Sequence, residues 1–161
     1  MNTFRALVPA LLAALCLGLA ACGDPVDCVR EARIQPDPSV TVAEALGRYP
    51  YFTGVSWSTR EDKDGKIIVE AACELNVSAN CREVNHESME IATRGVSRDY
   101  FLATFVVGGF PRQVHAREAS HVTVCAGGKR LAFADPKYLR AIYNREPVRF
   151  FCLEGLNCPG Q

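Results

Sequence analysis

Lys66-Ile67-Ile68-Val69-Glu70-Ala71-Ala72-Cys73-Glu74-Leu75-Asn76 decides the fold class. Ile67, Val69, Ala71, Cys73 and Leu75 fall on one side, and Lys66, Glu70, Glu74 and Asn76 on the other. That two-residue period is a strand. One covered and one wet face is the pattern of an antiparallel sheet. Just upstream, Glu61-Asp62-Lys63-Asp64-Gly65 is a charged turn. Gly54 to Arg60 then reads as the first arm of a hairpin.

Downstream, Asp99 to Val107 is apolar, aromatic and β-branched, and predicts a central strand. Gly108-Gly109 turns into a strand over Phe110 to Glu118, a further strand covers His121 to Cys125, and Gly127-Gly128 turns into Lys129 to Ala134. A final strand is expected over Val148 to Cys152. Helices are expected over Val42 to Arg48, capped by Ser39 or Thr41, and from Asp135-Pro136 to Asn144. Val84 to Thr93 is a weaker helix candidate, and Val29 to Pro38 reads as an extended lead-in. Strands outnumber helices and tight turns join them. The expectation is an α+β domain whose antiparallel sheet has one face covered by short helices.

The chain has 161 residues, 48% hydrophobic and 22% charged, which fits one globular domain rather than a disordered chain. Lys+Arg and Asp+Glu number 18 each, so no net charge draws the chain to nucleic acid. The balance hides an asymmetry. Residues 22–93 carry seven basic and thirteen acidic side chains, and residues 94–161 carry ten and five. Either the halves interleave and the charges mix, or Arg112, Arg117, Lys129, Arg130, Arg140, Arg145 and Arg149 build a basic face. Arginine suits bidentate contact with phosphate or carboxylate, so such a face would meet anionic lipid, cell-wall polymer or an acidic protein.

The first segment is for targeting. One basic residue, Arg5, precedes the apolar or small run Ala6 to Ala21, too short to span a bilayer comfortably and typical of a signal peptide. The run ends in Leu19-Ala20-Ala21-Cys22, which closely resembles the lipobox of bacterial lipoproteins. The resemblance implies cleavage before Cys22 and lipidation of Cys22, with a membrane anchor through the N-terminal lipid. Gly23 follows the cysteine, with Asp24 one later, which in that family leans toward the outer membrane facing the periplasm. The expected division is a signal peptide over 1–21, a lipidated N-terminus and short tether over 22–38, and one domain over 39–161. Cys22 to Cys28 spans at most about 20 Å, so the body would sit against the bilayer.

Cysteine parity agrees with lipidation. Of eight cysteines, Cys16 leaves with the signal and Cys22 takes lipid. Cys28, Cys73, Cys81, Cys125, Cys152 and Cys158 remain, an even set that an oxidising compartment can pair. Fifteen pairings are possible. Sequence alone does not choose among them, but Cys73 and Cys81 are eight positions apart, Cys125 and Cys152 end two expected strands, and Cys28 with Cys158 would then tie the termini together.

A second resemblance covers about a third of the chain beyond the signal. Thr41-Val42-Ala43-Glu44-Ala45-Leu46, Tyr49-Pro50-Tyr51-Phe52, Trp57, Asp64-Gly65-Lys66 and Val69-Glu70 resemble a module of small bacterial secreted and lipoprotein domains with no assigned activity. Leu139 to Asn144 before Glu146-Pro147 is similar to the end of such chains. The six cysteines depart from that pattern.

Motifs for chemistry are sparse. No Cys-x-x-Cys, Gly-x-Ser-x-Gly, phosphate loop or dinucleotide fingerprint occurs. His86-Glu87-Ser88-Met89-Glu90 lacks the second histidine of a zinc protease. His115 and His121, on one strand, would point the same way about 20 Å apart. No metal or cofactor is expected, and the histidines, Glu87 and Glu90 read as surface residues. Tyr49, Tyr51, Phe52 and Trp57 either pack the helix on the sheet or line a groove. The expected function is a non-enzymatic cell-envelope lipoprotein that binds a protein or anionic polymer. Rival expectations are an inhibitor of an envelope hydrolase such as lysozyme, and, less favoured, an enzyme acting on cell wall or lipid.

Overall fold

The alternating stretch forms a central strand. In this computed structural model, which describes residues 23–84, 95–109, 111–148 and 158, it is β2, Ile67–Leu75. The order is α1 (Pro25–Glu31), α2 (Val42–Gly47), β1 (Phe52–Glu61), β2, α3 (Val77–Val84), β3 (Val96–Gly108), β4 (Gln113–Cys125), β5 (Arg130–Ala134) and α4 (Lys137–Asn144). The strands form one antiparallel meander, β1-β2-β3-β4-β5. β2 and β3 pair without a shift from Ile67↔Val107 to Glu74↔Tyr100. The fold is α+β, as expected.

The inner face carries Val69, Ala71 and Cys73 from β2 and Phe101, Ala103, Phe105 and Val107 from β3. Short helices supply the other half of this core. Thr41 caps α2: its Oγ1 accepts from the Glu44 amide at 3.1 Å, and the Glu44 carboxylate accepts from the Thr41 amide at 3.0 Å. This reciprocal pair fixes where the helix starts and points Val42, Ala45 and Leu46 inward. The same bonds hold the Glu44 carboxyl below its usual range. In α4, Tyr138, Leu139, Ile142 and Tyr143 form the buried stripe.

Three expectations change. Val29 to Pro38 is not extended throughout, because α1 runs Pro25–Glu31 and buries Cys28 and Val29 in the core. Asp24 caps it by accepting from the Val26 amide at 2.9 Å. The folded body therefore begins before residue 39.

The two strands expected over 110–125 are one strand, β4, with an extra residue at Arg117: Ala116 pairs with Phe105, but Glu118 pairs with Thr104. This bulge reverses the side-chain parity. His115 lies opposite Val106 and His121 opposite Phe101, so the two histidines occupy opposite faces.

The favoured cysteine pairing also fails. Cys125 is bonded to Cys158, with Cα atoms 5.4 Å apart. Cys28 and Cys73 are buried free thiols, and Cys81 is disulfide-bonded. Cys73 faces the core from the middle of the sheet. Cys158 lies against Gly95 at the start of β3, whereas Cys28 lies at the other end of that strand, beside Arg112. Strand length separates them. The signal segment with Cys22, the Val84–Thr93 helix beyond Val84, the Val148–Cys152 strand beyond Val148, and His86, Glu87, Glu90, Arg149 and Cys152 lie outside the described residues.

The aromatic cluster packs helix on sheet. Tyr49 is buried, its ring 5.1 Å from Tyr51 and 4.6 Å from Phe52, and Phe52 stacks on Phe101. The Tyr49 hydroxyl donates to the Glu146 carbonyl at 2.9 Å. Burial raises its pKa above the ordinary tyrosine value, and pushes Tyr143 up to about 12.

Candidate binding face

Strand parity places a second set of side chains on the outer face. Across it run Ser56, Ala72, Leu102 and Ser120 in one row, and Glu74, Tyr100, Val122 and Ala132 in the next. The face is not uniformly wet. Tyr100, Ser120 and Val122 are buried, while Ser56, Ser58, Arg98 and Arg130 are exposed.

The structure brings two guanidinium groups to one ring here. Arg98 sits 4.5 Å from the Tyr100 centroid and Arg130 sits 5.9 Å from it. The negative face of the phenol ring attracts both cations. Arg98 follows from parity, two residues before Tyr100 on β3. Arg130 arrives from β5, in line with Val124.

Most charge on this face is matched. Arg98 donates to Glu74 through Nε at 2.8 Å and also through Nη2, which raises its pKa. Arg60 Nε donates to Glu70 at 2.9 Å. Arg130 makes no ion pair among the described residues. These groups edge a depression of about 220 Å³ lined by Ser56, Ser58, Glu70, Tyr100, Leu102 and Arg130. It offers an unmatched guanidinium, hydroxyl donors and an aromatic surface. That set suits an anionic group carried on an apolar or planar body.

The other described basic candidates have separate neighbours. Arg117, the bulge residue, pairs with Asp62 of the β1–β2 turn at 3.3 Å. Backbone amides of Lys66 and Asp64 hold the Asp62 carboxyl below its usual range, with Arg117 adding to the effect. Arg112 reaches the Gly23 carbonyl at 3.4 Å and lies 3.7 Å from the Cys28 sulfur. Arg140 lies by Gln35 and Pro136, Arg145 ends α4, and Lys129 sits in the β4–β5 turn beside Arg130. Arg112 and Arg117 lie toward the β3–β4 turn and Lys129 and Arg130 toward the opposite end of β4, so these four do not form one patch.

A polar cluster on the inner face escaped sequence reading. Asp99 Oδ1 lies 2.6 Å from His121 Nε2 and accepts from Thr123 Oγ1 at 2.7 Å. Asp99 opposes Thr123 directly and His121 opposes Phe101, so the three groups clasp β3 to β4. His121 is only 3% exposed. The carboxylate, itself partly exposed, orients the buried imidazole and satisfies a buried hydroxyl. His115 is exposed, 3.3 Å from the Gln113 amide oxygen. Among the described residues no group of three or more His, Cys, Asp or Glu is placed to hold a metal ion.

No family model, curated protein or solved structure matches this chain.

Proposed function

We propose that this chain is a lipid-anchored cell-envelope protein that binds, without catalysis, an acidic segment of an envelope partner on the outer face of its sheet. The observation that carries the binding is the Arg98–Tyr100–Arg130 stack, with Arg130 unmatched beside the serine hydroxyls. The anchoring half rests on Leu19-Ala20-Ala21-Cys22. A body that starts at α1, three residues after Cys22, would be held close to the membrane surface, and several acyl chains would keep it there.

A photocrosslinking residue at Ser58, in intact cells also fed an alkyne-labelled fatty acid, tests both halves. The expected result is a discrete crosslinked envelope protein whose yield falls at least several-fold with Arg130→Glu. Label should be incorporated by the chain and lost with Cys22→Ser. No reproducible crosslink, or a crosslink unaffected by Arg130→Glu, overturns the binding face. Equal labelling of the Cys22→Ser chain overturns the anchor.

A further inference from the structure

β1 is an outer strand of the sheet, ten residues long, with β2 on one side and no strand on the other among the described residues. Protein edges of this length are ordinarily blunted by proline, lysine, a bulge, an inward charge or a covering element, and the one irregularity of β1 against β2 lies at its start, between Phe52 and Gly54. Phe52-Thr53-Gly54-Val55-Ser56-Trp57-Ser58-Thr59-Arg60-Glu61 contains no proline and no lysine. Its charges are confined to the last two residues. Of its side-chain partners, Ser56 donates to the Ala72 carbonyl and Arg60 binds Glu70, both on β2, away from the free edge.

We propose that β1 pairs antiparallel with β1 of a second copy, centred on Trp57, to make one ten-stranded sheet. The register follows from three constraints. Residues of the same face must meet, so that inner face continues into inner face; this allows only alternate registers. Sliding the pairing toward the β1–β2 turn shortens the seam at each allowed step and, once centred on Arg60, sets Arg60 against Arg60; like charges directly opposite are unfavourable. Sliding it the other way runs into the irregularity between Phe52 and Gly54.

With Trp57 on the two-fold axis, Ser56 faces Ser58 of the second copy and Val55 faces Thr59. Arg60 faces Gly54, where the seam ends at the irregularity between Phe52 and Gly54. No like charges meet, and the antiparallel arrangement puts the charged ends at opposite ends of the seam. Ser56 and Ser58 also line the outer-face depression, so the two depressions would join across the seam. The pairing stands whether or not that face binds an acidic partner.

Sedimentation of the full chain as purified from the cell, over a range of concentrations, reads the assembly directly. A dimer is expected, converted to monomer by Ser56→Lys/Ser58→Lys with the circular dichroism spectrum unchanged. Chains carrying Ser56→Cys mixed with chains carrying Ser58→Cys should crosslink under mild oxidation several-fold faster than either alone, because only unlike positions face each other. A monomer at every concentration overturns the proposal. So does a dimer indifferent to the lysines, or equal crosslinking by the separate cysteine variants.

Discussion

Asn80 shows how much one side chain can decide. It is fully buried in α3. Its amide nitrogen donates to the Val148 carbonyl at 2.9 Å, and its amide oxygen accepts from the Val148 amide at 2.9 Å. One side chain thus supplies both bonds that a neighbouring strand would have given, and ties α3 to the segment after α4. Leaving buried backbone donors and acceptors unmade costs about 1–3 kcal/mol. Asn80→Ala is therefore expected to lower unfolding stability by about 2–3 kcal/mol, read as a shift of the urea midpoint with the slope preserved. Asn80→Asp should lose a similar amount, since a carboxylate cannot donate to the Val148 carbonyl. Nothing in the sequence announces this residue, because its partner is 68 positions away. Arg98 and Tyr100 were legible in principle, since a two-residue spacing on a strand puts them on one face. What no spacing reveals is that Arg130 closes over the same ring.

At the scale of elements, local chemistry explains starts better than stops. Thr41-Val42-Ala43-Glu44 is readable as a helix start, and α2 begins there. The end of α4 is less ordinary. Arg145 closes it with φ of 59°, a left-handed conformation that costs a side-chain-bearing residue about 1–2 kcal/mol relative to glycine. Arg145→Gly is expected to raise stability by about 0.5–1 kcal/mol, after the greater freedom of glycine in the unfolded chain offsets part of the gain. Thermal melts of the two chains check it. The strands β2 and β3 were legible because alternation and β-branching agree there. The β4 bulge was not: the sequence reads as strands over Phe110 to Glu118 and His121 to Cys125, parted at Ala119-Ser120, whereas the irregularity falls at Arg117. Only pairing with β3 shows that the break is one extra residue rather than a turn.

For the whole molecule, the cysteines set the test. The Cys125–Cys158 bond closes a separation of 33 residues, worth about 3–4 kcal/mol in the chain-entropy account. Unfolding without reductant and alkylating should label Cys28 and Cys73 and spare Cys81, Cys125 and Cys158, as read by peptide mass mapping. Alkylation of the native chain should spare Cys73, which is buried and whose thiol pKa burial raises well above its ordinary value. Labelling of Cys125 or Cys158 before reduction would contradict the pairing.

The sequence by itself determined the kind of sheet, the start of α2 and the inner face of β2, because each depends on neighbours a few positions apart. The tertiary structure alone decided that Cys125 meets Cys158, that α1 belongs to the core, that one bulge sends His115 and His121 to opposite faces, and that Arg112 and Arg117 lie at the other end of β4 from Lys129 and Arg130. Those outcomes depend on strand register and on where distant segments come to rest. A register is fixed by the whole set of side chains on both strands, and no local spacing carries that sum.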